Sequence, residues 1–227
     1  MQVKLIDHTQ NPEKVVAAAA RLCYSPLGAM EIMDNFVPEQ VENFLAKLTE
    51  LGHDSPLEHA SFTFAVEGIS RACSHQLVRH RIGVSFSQKS QRYVKEKQFE
   101  YVVPKSIQKK DQAKLFDKVM ADLQKQYEIL LVAGVPAEDA RYVLPNACVT
   151  NIVITMNARS LHHFFRLRCC ERAQWEIREL ANLMLAEVQQ VAPTLFAKAG
   201  ASCETEGVCY EGKMSCGKAP TIAELQK

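Results

Sequence analysis

The 227-residue chain has no Gly-x-x-x-x-Gly-Lys-Ser/Thr loop and no Gly-x-Gly-x-x-Gly turn. A bound nucleotide would therefore rest on neither a P-loop nor a Rossmann turn. His-Glu-x-x-His and Gly-x-Ser-x-Gly are also missing, which removes a zincin site and a nucleophile elbow. No stretch approaches the ~18 apolar residues of a membrane span. The first residues, Met1-Gln-Val-Lys-Leu-Ile-Asp, lack a signal peptide's apolar core. With eight cysteines and no secretory signal, the expectation is reduced thiols in a cytoplasmic protein that meets no membrane. Net charge is only +1, where a dedicated nucleic-acid binder would be strongly basic, so no nucleic-acid partner is expected. Internal repeats and low-complexity segments are absent too.

What is present is an ordinary globular composition, 47% hydrophobic and 23% charged, in a chain long enough for a substantial core. Val3 to Asp7 reads as a strand. Asn11-Pro12-Glu13 reads as a cap, a first-turn proline and a first-turn acid opening a helix to about Cys23. Pro38 opens a second helix with Val41, Phe44, Leu45, Leu48 and Leu51 at core spacing, closed by Gly52. Ser55-Pro-Leu-Glu58 has capping-box spacing. Phe62, Phe64 and Val66 alternate with Ser61, Thr63 and Ala65, the pattern of a strand with one buried face. A strand is expected within Tyr93–Val103, and a long amphipathic helix from 108 to 133 whose apolar stripe is core or subunit interface. A short helix from Ala137 to Tyr142 presents Arg141. Val149 to Met156 is β-branched and reads as a buried strand. A helix follows from Asn157, and a last long helix opens near Ala173 with Ile177, Leu180, Met184 and Val188 as its core stripe. The fold class expected is α/β in the broad sense (α+β): one domain, residues 1–200, with a central sheet flanked by long helices. Residues 201–227, with Cys203, Cys209 and Cys216, are expected to form a poorly ordered or partner-docked tail. Cys-x-x-Cys pairs are missing, so no metal is assigned.

Charge is concentrated locally. Residues 71–93 hold Arg71, Arg79, Arg81, Lys89 and Arg92, with His75 and His80, and no Asp or Glu. A helix over 71–80 would align Arg71, His75 and Arg79 at i, i+4 spacing, with Cys73, Leu77 and Val78 on an apolar side. A polar loop then runs through Ser85, Ser87, Gln88, Ser90 and Gln91. Guanidinium forks, hydroxyls and amides in close succession suit an anionic ligand rich in hydrogen-bonding groups, such as several phosphates or phosphates with a heterocycle. A second cationic cluster runs from Arg141 to Arg168.

Arg79-His80-Arg81, eight residues, then Ser90-Gln91-Arg92-Tyr93 resembles the signature of the flavin-dependent thymidylate synthases. Asn157-Ala-Arg159-Ser-Leu and Ala173-Gln-Trp175-Glu-Ile-Arg are similar to that family's second block. The resemblance implies conversion of dUMP to dTMP, with methylenetetrahydrofolate as carbon donor, FAD as hydride carrier and NADPH as reductant. It also implies a homotetramer whose non-Rossmann flavin sites draw on several subunits. Carried over by motif, Ser61, Arg79, His80, Arg81, Gln88, Asn157, Arg159 and His163 occupy flavin-contacting positions, with His59 close by. Gln76, Leu77, Val78, Arg79, Gln88, Lys89, Ser90, Gln91, Arg92, Arg141 and Arg168 occupy dUMP-contacting positions. In this reading Arg92 and Arg141 neutralise the phosphate, Ser90 orients the nucleotide, and Arg168 is the catalytic residue facing the uracil. Gln88, His163 and Arg172 depart from the family's commoner Glu, Asn and His. No Pro-Cys dipeptide is present, so a cysteine nucleophile is not expected. Two other readings stay open: a nucleotide or nucleic-acid binder without catalysis, and a different flavoprotein oxidoreductase. The visible spectrum and dUMP-dependent oxidation of reduced flavin separate the three.

Overall fold

The computed structural model describes residues 1–96 and 98–226, with all their side chains except those of Thr49 and Glu50. The elements in order are β1 (Gln2–His8), α1 (Pro12–Leu22), α2 (Ala29–Asn35), α3 (Pro38–Glu50), β2 (Ser61–Ser70), α4 (Arg71–Leu77) and β3 (Val84–Gln88). They continue with α5 (Lys105–Lys109), α6 (Ala113–Val132), α7 (Ala137–Ala140), β4 (Val149–Asn157), α8 (Ala158–Arg168), α9 (Trp175–Val191), α10 (Ser202–Thr205) and α11 (Ile222–Leu225). Short 3-10 turns cover Ser55–His59, Arg141–Val143 and Gly212–Met214.

The strands form one sheet in the order β1-β2-β4-β3. Bonds at the strand ends set the direction of each pair. Thr9 N–H reaches Ser61 O; Arg71 N–H reaches Cys148 O while Ala158 N–H reaches Ala60 O; Lys89 N–H reaches Asn151 O while Asn157 N–H reaches Gly83 O. In the last two pairs, one strand's start meets the other's finish, so the ladder is antiparallel. An antiparallel sheet with helices gathered in separate runs is α+β, as the composition and pattern suggested.

Contacts group the chain into two compact units. One comprises Met1–Gln2, Val66–Arg79 and Phe86–Val153; the other comprises Val3–Ala65, His80–Ser85 and Ile154–Lys227. In the second unit, Phe62, Phe64, Ile154, Met156, Leu161, Phe164, Phe165, Ile177 and Phe196 are fully buried. In the first, Ile69, Cys73, Leu77 and Tyr127 are fully buried.

Several expectations are corrected by hydrogen bonding. The strand expected within Tyr93–Val103 is only a bridge between Tyr101 and Cys148. Its neighbours' N–H groups go elsewhere: Glu96 donates to Tyr127 Oη at 3.4 Å and Phe99 to Gln124 Oε1 at 3.1 Å, both on α6. (Lys97 lies outside the described residues.) The polar loop expected after residue 80 contains β3, whose Val84, Phe86 and Gln88 are half-buried while Ser85 and Ser87 are exposed. The helix expected over 71–80 ends at Leu77, so Arg79 does not share its face. Asp111, at φ 53, separates α5 from α6 where one helix was expected; Asp is among the residues that tolerate this left-handed region. β4 buries Thr150, Ile152, Ile154 and Met156 on one face but leaves Asn151 and Val153 exposed, so it is half-buried rather than buried. Asn11 precedes α1 without a side-chain cap bond, and Leu51 is 69% exposed rather than in the core.

Gly83 shows why one position tolerates no side chain. Its φ is +64, and a Cβ there would lie 2.5 Å from both Asn157 Nδ2 and Ser160 Oγ. Gly134, at φ +84, has nothing within 4 Å of such a Cβ. Gly134→Ala should therefore carry only the backbone cost, roughly 1–3 kcal/mol. Gly83→Ala should cost more, because the start of α8 must also shift. Denaturant midpoints of the two variants check this; equal midpoints would mean the close approach is unimportant.

Candidate functional site

In the first unit, two cations of the 71–93 stretch, Lys89 and Arg92, pair with acids that lie outside it. Arg92 Nε donates to Glu138 Oε2 at 2.5 Å, and Arg141 Nε donates to the backbone carbonyl of the same Glu138 at 3.0 Å. The two arginines expected to meet a phosphate thus converge on one residue of α7. Arg92 also lies over the Tyr93 ring, 5.3 Å from its centroid. Arg71 joins them: burial first, and then the charge of Arg141, holds its pKa below the usual arginine value. Lys89 pairs with Glu96 at 2.9 Å.

Around these cations the polar groups are ordered. Gln88 Nε2 donates to Ser74 Oγ (2.9 Å) and Thr150 Oγ1 (3.1 Å), which leaves its Oε1 as the end able to meet a ligand. Ser90 Oγ accepts from Arg92 N–H at 3.2 Å. Gln91 is buried, Gln76 and Val78 are half-buried, and Arg79 is exposed. Leu77, expected among the dUMP contacts, is fully buried and presents no surface to a ligand.

In the second unit, α8 begins in a knot of hydrogen bonds. Asn157 Oδ1 caps the helix by accepting from Ser160 N–H at 2.8 Å. Ser160 Oγ donates to Ile82 O at 2.7 Å, Asn157 N–H to Gly83 O, and Ala158 N–H to Ala60 O. These bonds bring Ser61, His80, Arg81, Asn157, Arg159 and His163 into one neighbourhood. Ser61 spends both backbone groups on Thr9, whose Oγ1 accepts its N–H at 2.9 Å and whose N–H meets its carbonyl. Only the Ser61 hydroxyl remains for a ligand. Arg159 pairs with Glu58 at 2.5 Å, so Glu58 serves as a counter-ion rather than the capping-box acid its spacing suggested.

At the other end of α8, Arg168 Nε donates to His80 Nε2 at 3.0 Å. That nitrogen must carry the lone pair, so the imidazole is neutral with its proton on Nδ1. Phe164 packs edge-on against the His80 ring at 5.0 Å, and His163 lies 6.1 Å away. Burial, then the Arg168 charge and His163, push the His80 pKa down to about 4. Phe164 and Phe165 are fully buried while Arg166 is exposed, stacked over Tyr210 at 4.6 Å and paired with Glu206. The family resemblance singled out Arg168 and His80 separately but carried no sign of their contact, since 88 residues separate them. Glu138 and Glu58 were missed as counter-ions, while Arg71 was read as part of the cationic stretch but not as a site residue; Glu138, three residues before Arg141, had a faint i, i+3 signal.

Among the described residues no group of three or more His, Cys, Asp or Glu is placed to hold a metal ion. No helix is long and apolar enough to cross a membrane.

The His80 contact has a sign in pH. An ordinary histidine titrates near 6.5, and folded His80 near 4. Its contribution to stability is complete above about pH 6.5 and is lost as pH falls toward 4. The His80 ring should therefore titrate near 4 by NMR in the folded protein, and His80→Gln should flatten the fall of stability across that window. A His80 midpoint near 6.5 would contradict the buried, arginine-facing geometry.

The chain was compared with known proteins. The family described as "Thymidylate synthase complementing protein" matches residues 4–194. A protein of Clostridium tetani named flavin-dependent thymidylate synthase is 52% identical over all of this chain and 96% of its own length. One of the same name from Geobacter sulfurreducens is 54% identical over 99% of this chain and 97% of its own. The structure is also similar to a UMP/dUMP methylase from Streptomyces cacaoi bound with 5-Br dUMP. That likeness has a TM-score of 0.75 at 24% identity, over 86% of this chain and 93% of that one, and it speaks for the fold. With near-complete mutual coverage at this identity, and with the Arg-His-Arg and Ser-Gln-Arg-Tyr positions built into ordered cationic sites, the chain belongs to the flavin-dependent thymidylate synthase family.

Proposed function

We propose that this protein methylates dUMP to dTMP, with methylenetetrahydrofolate as carbon donor, FAD as hydride carrier and NADPH as reductant. It acts in the cytoplasm as a homotetramer with shared active sites. The observation that carries the reading is the convergence of Arg92 and Arg141 on Glu138. Two guanidiniums on one residue, with Ser90 and Gln88 close in sequence, form a site for a phosphorylated nucleoside.

The donor set of the second unit fits a flavin dinucleotide. Arg81 and Arg159 are exposed cations for a diphosphate, and the Ser61 hydroxyl, Asn157 amide and His163 ring offer hydrogen bonds. Arg79 and Gln88, in the first unit, are flavin-contacting candidates by family position. FAD, when bound, supplies the hydride chemistry; the protein supplies orientation and field.

The residues' own part follows from their contacts. Arg92 and Arg141 hold the nucleotide phosphate, with the Glu138 carboxylate giving way to it. Ser90 orients the nucleotide. Neutral His80 accepts Arg168 Nε and so fixes the plane of the guanidinium that meets the uracil carbonyl. Negative charge that develops on the ring as C5 becomes nucleophilic is met by a donor already in place, beside two buried phenylalanines. The neutral state of His80 keeps the cation undiluted by a second one. Tetramer formation has its own support: Leu115, Val119 and Ile129 form an exposed stripe on α6, opposite buried Met120 and Tyr127. Ile82 and Val132 are each 89% exposed, unusual for such side chains unless covered.

Two measurements test this. The purified protein should be yellow, or bind added FAD, and sediment as a tetramer; a colourless monomer indifferent to micromolar FAD would end the proposal. Arg168→Ala should retain FAD but lose about 10²–10³ in rate, the usual loss for one preorganised donor. Arg168→Lys should recover only part, lacking the planar fork, and Arg166→Ala should be mild. Single-turnover oxidation of pre-reduced enzyme with dUMP and methylenetetrahydrofolate reads these rates. Near-normal turnover in a folded Arg168→Ala variant would remove Arg168 from the mechanism.

A further inference from the structure

The segment after Gly200 is folded against the end of α8 rather than loose. Arg166 pairs with Glu206 at 3.2 Å and Arg172 with Glu211 at 3.5 Å. Lys218 pairs with Glu171 at 3.1 Å. A backbone bridge joins Cys209 to Thr221, and Thr221 with Glu224 forms a capping box on α11. Under this fold lies a cavity of about 240 Å³ lined by four cysteines, Cys170, Cys203, Cys209 and Cys216. All are free thiols. Cys209 is buried and Cys216 exposed, while Cys170 and Cys203 are half-buried.

The four thiols are distributed between two stretches of chain. Cys170 lies two residues past the end of α8, whereas Cys203 lies on α10 and Cys209 and Cys216 beyond it. A sphere of 240 Å³ is roughly 8 Å across, comparable with the ~4–7 Å that separates the Cα atoms of disulfide partners. The ion pairs have already closed the intervening chain, so the thiols meet as neighbours rather than by diffusion. Burial, then Glu204 and then Cys170 ahead of Cys216, raise the Cys203 pKa, so Cys170 is the thiol that attacks first.

We propose that Cys170 and Cys203 are a thiol–disulfide pair that, when oxidised, locks the C-terminal segment onto the end of α8. The oxidant is a small-molecule disulfide or a hydroperoxide. With a disulfide, one protein thiolate attacks a sulfur and expels a thiol; the second protein thiolate then attacks the mixed disulfide and expels another. Two S–H bonds are lost, one S–S bond forms, and the two electrons and two protons leave in the expelled thiols. A hydroperoxide takes the same electrons and protons, giving an alcohol and water. Arg166 and Arg172 line the cavity, and their charge attracts an anionic disulfide such as oxidised glutathione. His163 lines it too, so the locked state would be felt at a residue of the proposed flavin wall. That last link rests on the proposed function; the disulfide does not.

The test uses the full-length protein with its native cofactor, incubated with oxidised glutathione, blocked with a thiol reagent, unfolded and mapped by mass spectrometry. Two fewer thiols than the eight of the reduced protein should be found, with one intramolecular Cys170–Cys203 linkage that a reductant reverses. Cys216→Ser should leave the linkage intact. Cys170→Ser and Cys203→Ser should each abolish it, and a correctly folded variant of either is recognised by unchanged circular dichroism. Eight thiols after oxidation would overturn the proposal, as would a linkage between Cys203 and Cys216 or between two chains. Stoichiometric zinc on the reduced protein, lost in Cys203→Ser, would replace it with a metal site.

Discussion

The first turn of α8 is the constraint on which the second unit's site depends. Asn157 uses its side chain to cap the helix, its N–H to meet Gly83 and its successor's N–H to meet Ala60. Ser160 adds a bond to Ile82. One short stretch thereby fixes three separate pieces of chain: the start of β2 with Ser61, the 80–83 segment with His80 and Arg81, and α8 itself. Because an α-helix is stiff, fixing its start also fixes its end, 11 residues on, where Arg168 reaches back to His80. Neither residue could be placed by its own neighbours in sequence.

Charge is handled by a second device. The chain is nearly neutral overall, yet its arginines are gathered and then individually matched: Arg92 with Glu138, Arg159 with Glu58, Arg166 with Glu206, Arg172 with Glu211. Exposed pairs of this kind contribute little to stability, ~0–1 kcal/mol each. Their effect is on position. They hold long flexible side chains in place without neutralising the region by burial.

Much of this was legible in the chain. Alternation marked β2 down to Phe62, Phe64 and Val66, and helical spacing gave Ile177, Leu180, Met184 and Val188 of α9, all fully buried. The Arg-His-Arg and Ser-Gln-Arg-Tyr positions marked the cationic stretch. What could not be read is what depends on long-range pairing. Val84-Ser-Phe-Ser-Gln88 alternates as a strand does, but its polar serines matched a loop equally well until β4 supplied a partner. The 93–103 segment has strand composition and lost its ladder to two side chains of α6. The acids that complete each site, Glu138 and Glu58, lie 46 and 101 residues from their arginines. The cysteines after Gly200 showed no period because their common feature is a shared cavity, not a shared face.

In the proposed phosphate site, pre-matching Arg92 with Glu138 would make the arginine an ion exchanger. Whatever anion enters replaces one already present, so its gain is a difference between two attractions. A carboxylate carries one negative charge and a phosphate monoester close to two near neutral pH. Exchange therefore favours the phosphate and leaves an uncharged nucleoside with nothing to displace the incumbent. A bare arginine would bind many anions more tightly; one already matched would sort them by charge.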